Sequence, residues 1–247
     1  MALRILVTND DGIESVGLLR LAKALKKYGD VIVCAPKEQQ SGKSQGIDLI
    51  YPFEIKKYDF CEGIEAYAVD STPADCVRFA ILGLKEKPDI VVSGVNKGYN
   101  VGRDIVYSGT VGAVYEANGF GYRALALSTT HREYDEAFKY LDTVFDYIKE
   151  NDLYSMGSLY NINIPPIAKG FKITRQGGMF YSDEFDKVGE DMYRQSGKFV
   201  YEGRDDMTLD TDAVMSGYIS VTPLTLARTD FAIYESLRAK KELDKSL

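Results

Sequence analysis

Short apolar runs that alternate with helical patterns restrict the fold of this chain more than any other feature of its sequence. Buried strands are predicted at "LRILV" (3–7), "VIVCAP" (31–36), "DIVVSGV" (89–95) and "RALALS" (123–128). Apolar residues at helical spacing follow the first run over 16–28 and the last run over 133–150. Strands joined by helices need crossover connections, which give a mostly parallel sheet with helices on both faces. The pattern therefore predicts a doubly wound α/β fold.

The stretches between these runs fit the same architecture. Further strands are predicted at "IDLIY" (47–51) and "EAYAV" (65–69). Short helices are predicted at "GTVGAVYEA" (109–117) and from Thr72, which can act as an N-cap before Pro73.

The pattern changes after about residue 170. Tyrosine-rich polar alternation in "MFYSDEF" and "MYRQSGKFVYEGRDD" predicts extended hairpins, followed by a strand at "GYISVTPL" (217–224) and a charged helix from about Asp230. We predict a Rossmann-like catalytic core over residues 1–170 and a C-terminal region over residues 171–247. An aromatic-rich arm at about 178–205 cannot bury itself well alone, so we expect it to contact another subunit.

Charge and composition exclude several classes of protein. The formal net charge of -7 argues against a general nucleic-acid binder, which presents a basic face to the phosphate backbone. The three cysteines lie in apolar stretches without metal-type spacing, which favours buried thiols in a reducing compartment. No leader and no run of ~18 apolar residues is found, so we expect a cytoplasmic protein without a membrane span. His131 is the only histidine, which excludes multi-histidine zinc sites; we expect it at the surface.

Four polar loops follow predicted strands. They are the aspartate loop "NDDG" (9–12), the serine loop "QSGKS" (40–44), the asparagine loop "SGVNKGYNVGRD" (93–104) and the helix-entry loop "YSGT" (107–110). In a parallel sheet such loops can converge at the carboxyl edge, where the ligands of these sheets bind. Together they offer carboxylates, hydroxyls, amides and exposed backbone N–H groups. This set suits a hard divalent cation beside a phosphate.

Each loop also has a plainer interpretation. Asp10 or Asp11 could form a turn and cap a helix, although a cation would relieve the repulsion between two adjacent carboxylates. The serine loop lacks the first glycine of a Walker phosphate-binding loop and could simply be flexible. The asparagine loop could supply only turns with positive φ, and Gly109 and Thr110 could be only a helix cap.

Two enzyme templates do not fit the first strand. The strand is not followed by G-x-G-x-x-G, which argues against a dinucleotide-binding enzyme. Phosphatases that form an aspartyl-phosphate carry an aspartate two residues after the first, where this chain has Gly12. The remaining chemistry is direct attack of water on a phosphoryl group.

Five segments together resemble the SurE family of survival-protein 5'/3'-nucleotidases. They are "ILVTNDDGI", "SGKS", "STPADCV", "VSGVNKGYNVGRDIVYSGTVGAVYEA" and "DTDAVMSGYISVTPL". The match is dense from residue 3 to about residue 130 and returns at 210–224. The resemblance implies a divalent-metal-dependent phosphatase acting on nucleoside monophosphates, with polyphosphate as a further substrate of some members.

The resemblance also implies which residues act. The metal ligands of the family fall on Asp10, Asp11, Ser41 and Asn96, and its phosphate contacts fall on Asn100, Ser108, Gly109 and Thr110. One Mg²⁺ or Mn²⁺ per subunit is expected. The family usually has an arginine where this chain has Gln40, a departure that bears on phosphate affinity or substrate preference. Family members are dimers or tetramers that exchange C-terminal hairpins or helices, so we expect a homodimer or homotetramer formed through the arm.

The predicted mechanism uses water without a phosphoenzyme. The cation would bind a phosphate oxygen and a water and lower the pKa of that water, while the Ser108 to Thr110 amides stabilise the developing charge. Either Asp10 or Asp11 can orient the water. An alternative is a non-catalytic nucleotide sensor that binds in the same pocket and releases no phosphate. A sugar-nucleotide transferase needs a D-x-D motif, and "DTD" at 210–212 is far along the chain from the glycine loops.

Overall fold

The computed structural model of this protein describes residues 2–132 and 134–240. The strands of this part of the chain are β1 (Leu3–Thr8), β2 (Gly29–Pro36), β3 (Ile55–Lys57), β4 (Glu65–Val69), β5 (Ile90–Lys97), β6 (Arg123–Thr129), β7 (Leu159–Ile164), β8 (Phe171–Ile173), β9 (Tyr181–Lys187), β10 (Tyr193–Phe199) and β11 (Ile219–Pro223). The helices are α1 (Val16–Leu25), α2 (Pro73–Arg78), α3 (Gly109–Gly119), α4 (Tyr134–Ala137), α5 (Leu141–Glu150), α6 (Leu153–Met156), α7 (Asp210–Met215) and α8 (Phe231–Arg238). A π turn follows α2, and 3-10 segments lie at Gly102–Tyr107 and Phe138–Tyr140.

Nine of these strands form one sheet in the order β3-β4-β2-β1-β5-β6-β7-β11-β8. The strands from β4 to β7 in this order run parallel, whereas β3 and β11 run antiparallel to β4 and β7. Numbered along the chain, the parallel strands follow 3-2-1-4-5-6, the order of a Rossmann-like doubly wound sheet. The predicted fold class is confirmed, and the winding reverses between β1 and β5.

Helices cover both faces of the sheet. On one face, Leu18 of α1 belongs to the same buried cluster as Val7 of β1. On the other, Val114 of α3 lies in the cluster that contains Leu6. The neighbours Leu6 and Val7 thus face opposite sides, because side chains alternate along a strand. Both faces are apolar, which explains why the central strands appear in the sequence as continuous apolar runs.

The strand predicted at 47–51 is not formed, and the described residues contain three strands that the pattern does not predict, β3, β7 and β8. Residues 47–51 are irregular, because the Asp48 carboxylate accepts hydrogen bonds from the N–H groups of Ile50 (2.9 Å) and Tyr51 (3.0 Å) and turns the chain locally. Conversely, the pattern does not predict β7, in which Asn161 and Asn163 are fully buried. The asparagines interrupt the continuous apolar run that marks the other buried strands of the sheet.

The helix predicted over residues 133–150 is interrupted. The structure has α4, a 3-10 turn and α5 in its place, and Glu133, the predicted start, lies outside the described residues. Met1 and residues 241–247, the ends of the two predicted regions, also lie outside them. No described helix is long and apolar enough to cross a membrane.

The C-terminal region both completes the sheet and forms a ribbon. Strands β8 and β11 join the main sheet, whereas among the described residues β9 and β10 pair only with each other, inside the segment 178–205. Helix α8 has no buried residue. The division of the chain at residue 170 and the exchange of the arm between subunits remain predictions.

Helix α3 is built from small residues because the serine loop lies against it. A β-carbon at Gly112 would stand 2.0 Å from the Ser44 carbonyl oxygen, far inside van der Waals contact. At Gly119, on the last turn of the same helix, the nearest atom would be Leu226 Cδ1 at 4.0 Å. Only the first of these glycines is required by packing.

Gly112→Ala should lower the free energy of unfolding by about 1–3 kcal/mol, because the added methyl group displaces the backbone of the serine loop. Gly119→Ala has room and a better helix former, so it should be neutral or stabilising by up to about 1 kcal/mol. Urea unfolding of both variants gives the comparison. Equal effects of the two substitutions would show that the serine loop does not pack on α3.

Candidate active site

The four loops meet at the carboxyl edge of the sheet, beside the reversal point between β1 and β5. The Gln40 N–H donates to the Asp10 carbonyl oxygen (2.7 Å), which joins the serine and aspartate loops. The Lys97 N–H lies 3.4 Å from Asp11 Oδ2, which joins the asparagine loop to them. The Thr110 hydroxyl donates to Asp10 Oδ1 (2.5 Å), which brings in the helix-entry loop. The aspartate loop is therefore the hub of the site.

The shape of the aspartate loop is set by Asn9 and Ser15. The buried Asn9 amide donates to the Gly12 carbonyl oxygen (3.1 Å) and to the Ser15 hydroxyl (2.7 Å). Ser15 also caps α1, accepting a hydrogen bond from the Leu18 N–H (3.2 Å). The helix cap is a serine, so neither aspartate is needed as a cap and both carboxylates are left for other contacts.

The two carboxylates have unequal environments. Asp10 is 5% exposed, and its burial raises the pKa of its carboxyl group to about 6. The Thr110 hydrogen bond opposes this rise, and the neighbouring Asp11 charge adds to it. Asp11 is half-buried; burial raises its pKa too, against the Lys97 N–H and ammonium group, which favour the charged form. Burial therefore disfavours the charged form of both neighbouring carboxyl groups.

The start of α3 presses against Asp10. Ser108 caps the helix through its hydroxyl, which accepts from the Val111 N–H (3.0 Å). A β-carbon at Gly109 would lie 2.8 Å from Asp10 Cβ and 3.2 Å from the Gln40 carbonyl oxygen. Glycine at 109 is thus required for the approach of the helix N-terminus, whose N–H groups favour anions.

The two asparagines of the asparagine loop have different partners. Asn96 donates its amide hydrogen to the Gly98 carbonyl oxygen (2.7 Å). Asn100 donates to the Ser128 hydroxyl (2.8 Å). The backbone of Asn100 is held from β7: its N–H donates to Asn163 Oδ1 (2.9 Å), and its carbonyl oxygen accepts from Asn161 (2.8 Å) and Asn163 (2.9 Å).

Sequence reasoning missed Asn161 and Asn163. The alternation of the two asparagines with Tyr160, Ile162 and Ile164 is the signal that could have identified them, since it is a period-two pattern on a strand. Both side chains are fully buried and hold the asparagine loop against the sheet by hydrogen bonds to Asn100.

The serine loop is less tightly connected to the carboxylates. Ser41 is exposed, and its hydroxyl accepts a hydrogen bond from Gln39 (2.9 Å); neither it nor Asn100 is hydrogen-bonded to Asp10 or Asp11. Ser44 lies in a G-x-S-x-G spacing, but its hydroxyl donates to the Val106 carbonyl oxygen (2.7 Å), so it is not placed as a nucleophile. His131 is exposed.

The family model described as "Survival protein SurE" matches residues 5–183. This chain belongs to the SurE family. Two relatives called 5'-nucleotidase SurE, from Thermoanaerobacter sp. (strain X514) and Thermosipho melanesiensis, are each 38% identical to it. These alignments cover 96% and 99% of this chain and 98% and 100% of the relatives. The crystal structure of the SurE protein from Aquifex aeolicus has a TM-score of 0.78 and 33% identity, covering 96% of this chain and 99% of that one. The similarity to SurE proteins thus spans both the sheet and the C-terminal region.

The buried Asp10 makes stability depend on pH. Its pKa rises from 3.8 to about 6 on folding, so between these values the folded protein binds a proton that the unfolded chain does not. Stability therefore falls as pH increases through this window, and the loss is complete above it. With EDTA present, Asp10→Asn should be more stable than the wild type at pH 7.5, on the order of 2–3 kcal/mol, and the difference should fall to about 0.5 kcal/mol near pH 4.

Urea unfolding at the two pH values measures this difference. Asp70→Asn is the matched control, because Asp70 also follows a parallel strand, β4, but is exposed. A stability difference of the same size at both pH values would contradict the raised pKa of Asp10.

Proposed function

We propose that this protein hydrolyses nucleoside 5'- and 3'-monophosphates, and short polyphosphate, with one divalent cation bound by Asp10, Asp11, Ser41 and Asn96. The observation that carries the proposal is the burial of Asp10 beside Asp11, which raises the pKa of both carboxyl groups. Fixed carboxylates in such a place are stabilised when a cation joins them. As a member of the SurE family, the protein is a phosphoric monoester hydrolase.

The donor set suits Mg²⁺ or Mn²⁺. The proposed ligands are two carboxylates, a hydroxyl and an amide, all hard oxygen donors of the kind these ions prefer. Within residues 2–132 and 134–240, no cluster of three or more His, Cys, Asp or Glu side chains could hold a metal ion. Ser41 and Asn96 are therefore needed to complete a site around the carboxylate pair. Hydrogen bonding of the Asn96 amide hydrogen to Gly98 supports this role, because it orients the amide and leaves Oδ1 as the donor atom.

When bound, the cation supplies Lewis acidity to the attacking water and to the phosphoryl oxygens. The protein contributes orientation: Thr110 fixes Asp10, and the Lys97 N–H contacts Asp11, so either carboxylate can accept a hydrogen bond from the water. The Lys97 ammonium group, which partly offsets the rise in the pKa of Asp11 caused by burial, adds positive charge on the asparagine-loop side. An in-line attack needs these groups held in place before substrate arrives.

Donors for the phosphate come from Asn100 and the start of α3. One amide hydrogen of Asn100 is used by Ser128, which leaves the other. The Ser108 hydroxyl accepts from the Val111 N–H and retains its own proton to donate, and the Gly109 N–H points from the first turn of a helix. We assign the phosphate to these donors, with Thr110 acting chiefly through Asp10. Gln40 brings no charge to this set, so the N-terminus of α3 carries more of the anion binding.

We also propose that the arm and α8 contact a second copy of the chain, giving a homodimer or homotetramer. The hairpin β9–β10 exposes Phe185, Tyr193 and Phe199. Helix α8 exposes Phe231, Ile233, Tyr234 and Leu237. Apolar residues at this density on two projecting elements favour an interface.

Phosphate release from nucleoside 5'- and 3'-monophosphates and short polyphosphate should require Mg²⁺ or Mn²⁺ and should stop with EDTA. Asp10→Asn should lower kcat/KM by about 100-fold or more, because the amide weakens both cation binding and the orientation of water. Asp70→Asn, at the same edge of the sheet, should retain wild-type turnover. A colourimetric phosphate assay on the three proteins, with circular dichroism to check folding, makes the comparison.

Two outcomes would count against this proposal. Full turnover in EDTA would remove the cation from the mechanism. Nucleotide binding in calorimetry without phosphate release under any metal would support the sensor alternative for this site.

A further inference from the structure

Helix α7 carries two buried carboxylates that bind different parts of the chain. Asp210 and Asp212 are 0% and 1% exposed. The sequence pattern separates this "DTD" segment from the glycine loops, but the fold brings it into contact with the asparagine loop. Asp210 therefore contacts the asparagine loop although the two are far apart in the sequence.

Asp210 accepts hydrogen bonds from three backbone N–H groups. Gly102 donates to Oδ2 (3.0 Å), while Gly177 (2.7 Å) and Thr211 (2.8 Å) donate to Oδ1. All three donors are backbone amides. A carboxylate is the side chain that only accepts, so it alone satisfies donors on both oxygens; an asparagine would present an N–H₂ group to one of them.

Further hydrogen bonds hold the backbone around Gly102. Its carbonyl oxygen accepts from the Gln176 amide (2.9 Å), and the next N–H, that of Arg103, donates to the Gly178 carbonyl oxygen (3.0 Å). A β-carbon at 102 would lie 2.1 Å from that same oxygen, and φ is +60°. The residue has no freedom to shift without breaking the contact with Asp210.

Gly102 lies between the two groups of proposed phosphate donors. Asn100 is two residues before it, and the 3-10 segment Gly102–Tyr107 leads directly to Ser108 and the start of α3. The C-terminal end of the stretch 102–110 is held by the hydrogen bond from Thr110 to Asp10. Its N-terminal end is held by the hydrogen bond from the Gly102 N–H to Asp210.

We propose that Asp210 is a positioning residue of the active site, which holds Gly102 and thereby sets the places of Asn100 and Ser108 around the phosphate. This inference rests on the proposed function. Asp210 does not contact the substrate; it acts through the backbone of the asparagine loop. Misplacement of donors by about 1 Å can reduce a rate by about 100-fold, so a remote carboxylate can matter to catalysis.

Asp212 provides a matched control on the same helix. Its carboxylate accepts from the N–H groups of Arg204 (2.9 Å) and Asp206 (3.0 Å) and from the Tyr201 hydroxyl (3.0 Å). These donors follow the hairpin and do not belong to the asparagine loop. Asp210→Asn and Asp212→Asn therefore remove the same chemistry at equal burial from different segments.

The test compares the wild type, Asp210→Asn and Asp212→Asn at full length with Mn²⁺. We expect Asp210→Asn to lower kcat/KM for a nucleoside monophosphate by about 10- to 100-fold and to raise the inhibition constant of inorganic phosphate by about tenfold. Asp212→Asn should stay within about threefold of the wild type in both constants while losing a similar amount of thermal stability. Amide hydrogen exchange over residues 99–108 should accelerate only in Asp210→Asn.

Gln176→Ala covers the case in which Asp210→Asn does not fold. It removes only the hydrogen bond to the Gly102 carbonyl oxygen, and it should shift phosphate inhibition and amide exchange in the same direction by a smaller factor. Equal effects of the Asp210 and Asp212 variants, or unchanged phosphate inhibition in both Asp210→Asn and Gln176→Ala, would overturn the inference.

A wild type that releases no phosphate would instead overturn the proposed function. Amide exchange still decides the positioning role in that case. Acceleration confined to Asp210→Asn and Gln176→Ala supports it, and identical exchange in all variants rejects it.

Discussion

The contact between the start of α3 and Asp10 is the constraint on which the rest of the site depends. A carboxylate at 5% exposure is held against a helix N-terminus that can approach only because residue 109 has no side chain. The same lack of side chains at Gly112 lets the serine loop lie along the helix. Asp10 thus sets the spacing between β1, the serine loop and α3. Its burial there raises the pKa of its carboxyl group to about 6.

The asparagine loop is shaped by a second set of contacts, mostly from buried polar groups. Asn161 and Asn163 hold it from the sheet below, and Asp210 holds it from α7. Asn161 and Asn163 donate to the Asn100 carbonyl oxygen, and Asn163 also accepts from the Asn100 N–H. Asp210 accepts from the Gly102 N–H. These hydrogen bonds together define one conformation of the loop. A loop rich in glycine thus takes its conformation from hydrogen bonds to its neighbours.

Much of this arrangement could be predicted from sequence because it follows from local patterns. The apolar runs of β1, β2, β5 and β6 identify buried parallel strands, "NDDG" marks the loop after β1, and "YSGT" marks the start of α3. The structure differs where tertiary contacts override those patterns. Asp48 bends an apolar stretch that resembles a strand, and the buried asparagines of β7 interrupt the apolar run expected of an interior strand. The contact of Asp210 with Gly102 joins residues 108 positions apart, which no local pattern can reveal.

The sheet ends in very short strands on both sides. Edge strands β3 and β8 have three residues each, too few free N–H and C=O groups to template another strand. By contrast, β9 and β10 have seven residues each, and in the described part of the chain each has one unpaired side. The base of this ribbon is tied to the 3-10 segment by the Tyr181 N–H, which donates to Asp104 Oδ2 (3.0 Å). A partner bound along the unpaired side of the ribbon would therefore lie one hydrogen bond away from the segment that leads into α3.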